Sequence, residues 1–113
     1  MDSKKTQFDK DMQSEFKALF LQVRGIVMSI EGVVELKKER ITTYSDANGG
    51  LCHVRTTKDG VDIGYLKGAQ FHDKFGCLTG KTKKMRVQSL RAAEPIDEES
   101  IHYYLQEGIR LNQ

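Results

Sequence analysis

Two runs of alternating residues, Leu51–Thr57 and Val61–Leu66, flank Lys58-Asp59-Gly60, and this arrangement most constrains the fold. Side chains alternate across a strand, so such runs build half-buried strands, and Asp-Gly between them predicts a tight hairpin turn with Gly60 at positive φ. The glycine-punctuated stretch that follows leads into a densely basic run. Upstream, Arg40-Ile41-Thr42-Thr43-Tyr44 is rich in strand formers and ends at Asp46-Ala47-Asn48-Gly49-Gly50, a turn signal. Lys83 to Leu90 reads as a further strand, and residues 69–82 as a loop or one or two helical turns, because Gly76 and Gly80 oppose a long helix.

Helices bracket these strands. Phe8, Met12, Phe16, Leu19, Phe20, Val23, Ile26, Val27 and Ile30 recur at three- and four-residue spacing, the stripe of one amphipathic helix. Thr6 and Asp9 resemble a capping box at its start; Gly25 interrupts the pattern and Gly32 offers a stop. After Pro95, Asp97 reads as the N-cap of a closing helix, with Glu98 and Glu99 in its first turn and Ile101, Tyr104, Leu105 and Ile109 as its apolar stripe. The order α-β-β-β-loop-β-α predicts a single α+β domain. An antiparallel sheet of about four to five strands is backed by an N-terminal and a C-terminal helix, with residues 1–7 expected to be flexible.

Composition narrows the function classes. The 113 residues suit one core, and no apolar run approaches the roughly 18 residues of a membrane span. The charged N-terminus lacks a secretory pattern, and the two cysteines fit a reducing, cytoplasmic setting as free thiols. A net charge of +2 is too small to imply a nucleic-acid partner. Its distribution says more. Lys81, Lys83, Lys84, Arg86 and Arg91 form an acid-free stretch, and Glu94, Asp97, Glu98, Glu99 and Glu107 follow with no Lys or Arg among them. The two stretches either pair with each other or leave the basic one exposed to bind an anion.

Some familiar chemistry is excluded by spacing. Gly76-x-x-x-Gly80-Lys81-Thr82 has three residues between its glycines where a phosphate-binding loop needs four, and a strand pattern follows where a helix should. Cys52, His53, His72, Cys77 and His102 contain no Cys-x-x-Cys or His-x-x-x-His pair, and adjacent Cys52 and His53 face opposite sides of a strand. His72 beside Asp73 is the one adjacent pair of imidazole and carboxylate. Cys77 near His72 lacks a third orienting group for nucleophilic catalysis.

Residues 26–111 resemble the YdhG-like domain, a family of small bacterial proteins of unknown function. The similarity rests on Tyr65-Leu66-Lys67-Gly68, on Gly76-Cys77-Leu78-Thr79-Gly80-Lys81, on the basic strand, and on the closing helix introduced by Ile96-Asp97. Prolines common in the family near Thr43-Tyr44 and Asp73-Lys74 are missing here. The resemblance implies this fold and supplies no catalytic residue; some relatives are labelled intracellular iron chaperones.

The sequence reading is therefore a cytoplasmic binding module without catalytic activity or cofactor, for an anionic small ligand or a protein partner. Lys81, Lys83, Lys84 and Arg86 are the candidate site, with His53 and Arg55 in support. Alternation puts Cys52, Val54 and Thr56 on one side of their strand and Leu51, His53 and Arg55 on the other. If the apolar sets lie under the helices, His53, Arg55, Arg86 and Gln88 share a solvent face. Metal handling, of iron in particular, is the alternative, and an enzyme using Cys77 ranks third.

Overall fold

The N-terminal apolar stripe folds as two helices, not one. The computed structural model describes residues 5–113. Helix α1 (Gln7–Met12) opens with the expected capping box: the Asp9 amide donates to the Thr6 hydroxyl, and the Thr6 amide to the Asp9 carboxylate. Of the span expected to be flexible, residues 1–4 lie outside the described residues. Gln7, by contrast, is tied to the sheet, its amide donating to the Lys38 carbonyl. The chain then turns and restarts as α2 (Lys17–Met28). The break follows Asp11, which is buried and accepts from the Thr56 amide at 3.0 Å and the Thr56 hydroxyl at 2.8 Å. Ser14 accepts from the Phe16 amide, a local bond that competes with the helical ladder. Apolar spacing is blind to both interactions.

Helix α2 buries Leu19, Phe20, Val23, Ile26 and Val27. Gly25 sits on its exposed side, where a Cβ would meet no atom within 4 Å. Gly25→Ala is therefore expected to raise unfolding stability by about 1 kcal/mol, read from urea melts. A loss of stability would mean that the helix needs glycine here.

The sheet has six strands: β1 (Val34–Lys37), β2 (Thr42–Asp46), β3 (Gly49–Thr56), β4 (Gly60–Tyr65), β5 (Leu78–Thr79) and β6 (Arg86–Arg91). Their order is β1-β2-β3-β4-β6-β5, antiparallel throughout. Strand β1 escapes a sequence reading because its polarity is inverted. Glu35 faces the helices, where it accepts from Arg24 at 2.6 and 2.9 Å and from the Tyr44 hydroxyl at 2.8 Å, while Val34 and Leu36 are exposed. Strand β5 is too short to carry a pattern.

Tyr44, Cys52, Val54, Val61, Ile63, Tyr65 and Leu90 form the inner face of the sheet, packed with α2 and α3 (Glu98–Asn112) into one core. The aromatic heart of that core is Tyr65, 5.4 Å from the Tyr104 ring and 5.7 Å from that of Phe71. Asp97 caps α3 as expected, accepting from the Ser100 amide. Among the described residues, no helix is long and apolar enough to cross a membrane.

Three local expectations are corrected. Gly60 is not at positive φ; the β3–β4 turn is closed instead by Thr57, whose hydroxyl accepts from the Asp59 and Gly60 amides. Leu51 does not share the face of His53 and Arg55. Tyr44 pairs with Cys52 and Ser45 with Gly50, so Leu51 is the extra residue of a bulge. It is buried against α3, where a Cβ on Gly108 would lie 3.3 Å from its side chain. The basic strand begins at Arg86 rather than Lys83, because Thr82 and Met85 close a turn first.

Candidate functional site

The basic residues gather on the loop that joins β5 to β6. Gly80, at φ +134°, lets the chain leave β5 in a conformation that side chains rarely adopt. The Thr82 hydroxyl accepts from the Met85 amide at 3.0 Å and donates to the Met85 carbonyl at 3.2 Å. Arg86 then reaches back, donating through Nη1 to the carbonyls of Thr82 and Met85 at 2.6 and 2.7 Å. Its guanidinium is thus part of the loop's framework. The Ala69 amide donates to the Lys84 carbonyl, tying the loop to the 3-10 turn at Gly68–Gln70.

This frame holds Lys81, Lys83 and Lys84 outward, all exposed, and among the described residues none of them is ion-paired. The expected alternative, pairing with Asp97, Glu98 and Glu99, does not occur. Strand β6 separates the two groups: the lysine loop precedes Arg86, whereas the acidic segment follows Arg91. Across a strand of this length they stand about 15–20 Å apart, beyond the reach of an ion pair.

The supporting residues lie elsewhere. His53 and Arg55 face the open side of the sheet, while Gln88 faces the core and Arg86 is turned into the loop, so the four do not share a solvent face. His53 lies across Gly64, where any Cβ would collide with the imidazole. Burial first, then the charge of Arg55, lowers its pKa below the ordinary histidine value. The ring is neutral near pH 7 and adds no positive charge to an anion site. Arg55 stands opposite Asp62 in the β3–β4 register. The six residues that the sequence gathered into one site thus fall in two places, the β5–β6 loop and the open face of the sheet.

Among the residues considered for metal or thiol chemistry, Asp73 has a structural task. Asp73 accepts from the Tyr104 hydroxyl and from the amides of Cys77 and Leu78 at 3.2 and 3.3 Å, and this fixes the loop before β5. No group of three or more His, Cys, Asp or Glu side chains converges among the described residues. Burial pushes the Cys52 thiol up to about 12, and burial followed by the Asp73 charge raises that of Cys77, the reverse of nucleophile activation. The Gly76–Thr82 segment runs into a loop and strand β6, without the helix N-terminus a phosphate-binding loop requires.

A groove of about 460 Å³ between α2 and α3 went unseen in the sequence. Gly25, which lines it, was the available signal: a helix-interior glycine that packing does not explain.

Comparison with protein-family models, with curated proteins and with solved structures returns no match.

Proposed function

We propose that the chain is a non-catalytic binding module that takes an anionic ligand or an acidic partner on the loop bearing Lys81, Lys83 and Lys84. The observation that carries this reading is the loop itself, three unpaired ammonium groups on a frame closed by Thr82 and Arg86. Like charges held side by side repel, and a bound anion relieves that repulsion. Because the frame is already closed, binding does not have to order the backbone first. The high thiol pKa of Cys52 and the raised one of Cys77 agree with a role that makes and breaks no bonds. We infer a divergent YdhG-like domain from the Tyr65–Gly68 and Gly76–Lys81 motifs, the basic strand and the closing helix introduced by Ile96-Asp97.

Thermal melts in phosphate and in chloride at equal ionic strength test the site. A phosphate-like ligand at a hundredfold excess over its dissociation constant should stabilise the fold by about 2.7 kcal/mol. The gain should fade as sodium chloride is added, because exposed charges are screened beyond about 8–10 Å, and it should vanish in Lys81→Ala/Lys84→Ala. Equal melting in the two salts, or an undiminished shift in the variant, sinks the anion site.

A further inference from the structure

We propose that the groove between α2 and α3 docks a basic amphipathic helix of a protein partner. The groove is longer than its first depression. A second one, of about 370 Å³, shares Gln22 and Ile96 with it, so the two run on along α2 past Pro95. Leu19, Ile26 and Ile96 give it an apolar floor. On the α2 side Ala18, Gln22, Gly25 and Ser29 line it at intervals of four, three and four residues, the spacing of one helix face. From Ala18 to Ser29 this seam extends about 16 Å, which matches roughly three turns of a docked helix. Its small residues let another backbone approach closely, and they explain why a solvent-facing helix keeps Gly25 at a cost to its own stability.

The charge of the walls selects the partner. Glu15, Glu94 and Glu98 line the two depressions, with no Lys or Arg among the lining residues. Among the described residues none of the three carboxylates is ion-paired. Glu98 has a local reason to be there, since it lies in the first turn of α3 and favours that helix's dipole. Glu15 precedes the N-cap of α2 and has a similar reason, whereas Glu94 lies outside any helix and has none. An apolar stripe flanked by Lys or Arg is the complement of this surface: the stripe fills the floor while the cations reach the rim. The site is at the opposite end of β6 from the lysine loop, so the two surfaces are open to different partners.

The test titrates the full chain with a synthetic amphipathic helix of leucine and lysine, about 15 residues long. Its control has the same composition but leucines scattered around the helix. Binding is read by anisotropy and mapped by amide chemical shifts. The amphipathic peptide should bind at low salt, perturb Gly25, Ile26 and Ile96, and weaken about tenfold or more on going to high salt. Gly25→Leu, which fills the groove with a better helix former, should weaken binding at least about tenfold while leaving the fold intact by its melt. Glu94→Gln/Glu98→Gln should weaken it about fivefold or more. Equal binding by the scattered peptide, indifference to Gly25→Leu, or shifts confined to the open sheet face would overturn the proposal. So would spermine displacing the peptide, which would assign a small polycation, or a salt-sensitive dimer abolished by Gly25→Leu, which would assign a second copy.

Discussion

Gly60→Ala is expected to cost about 3 kcal/mol or more of unfolding stability, although Gly60 is an ordinary extended residue at the start of β4. Position, not conformation, requires the glycine. Gly60 pairs with Arg91, and a Cβ there would fall well inside the contact distance of the Leu90 carbonyl oxygen. Backbone cannot swing aside as a side chain can, so relief must come from separating β4 from β6. That ladder is also what joins β5 to the rest of the sheet. Gly64→Ala is the informative contrast, because the Cβ there meets the imidazole of His53, which can rotate away. Its cost should be nearer 1 kcal/mol. Asparagine tolerates positive φ, so Gly60→Asn would be mild if the turn needed that conformation. Close approach makes it as damaging as alanine. Urea melts of the three variants decide the matter, and a Gly60→Ala protein within about 0.5 kcal/mol of the parent would refute the close approach.

Sequence reading succeeded where local chemistry determines the outcome. Asp97 caps α3 because a side-chain oxygen beside the first turn satisfies an amide that the helix leaves open, and the Thr6 capping box works the same way. The β2–β3 and β3–β4 turns were legible because strand alternation and turn residues agree. Some failures were local: Thr57, not a positive φ at Gly60, closes the β3–β4 turn, and the Thr82–Met85 turn delays β6. The others depend on a distant partner. Asp11 breaks the first helix through its bonds to Thr56, 45 residues away. Glu35 faces the helices because Arg24 and Tyr44 receive it, which inverts the polarity of β1. The candidate site divides along the same line. Lys81, Lys83 and Lys84 were readable as a local charge run, whereas the turn of Gln88 into the core, set by Tyr65 and Ser100, was not. A polar side chain announces its preference for water; the partner that overrides that preference lies elsewhere in the chain.

Gln88→Leu is the sharpest consequence of that override. Gln88 is only 4% exposed, and its Oε1 accepts from the Tyr65 hydroxyl at 2.7 Å while its Nε2 donates to the Ser100 hydroxyl at 2.8 Å. Ser100 in turn donates to the Asp97 carbonyl at 2.8 Å. One chain of bonds thus joins β4 and β6 to the first turn of α3, buried from Tyr65 to Ser100. Leucine keeps the approximate volume and removes both functions, leaving the Tyr65 hydroxyl buried with no acceptor. An unsatisfied buried donor costs about 1–3 kcal/mol, and the loss of a linked network adds to it, so a total near 3 kcal/mol is expected. Tyr65→Phe alone should cost about 1 kcal/mol. In the double variant the phenol that would have been stranded is gone. Its cost should therefore fall below the sum of the single costs by at least about 0.5 kcal/mol. Hydrogen exchange adds a spatial readout, because residues 97–101, which include Glu98 of the acidic groove, should lose protection before the rest of α3. Additive costs with unchanged protection at the start of α3 would show that Gln88 merely fills space, and that the helix is held to the sheet by its apolar face alone.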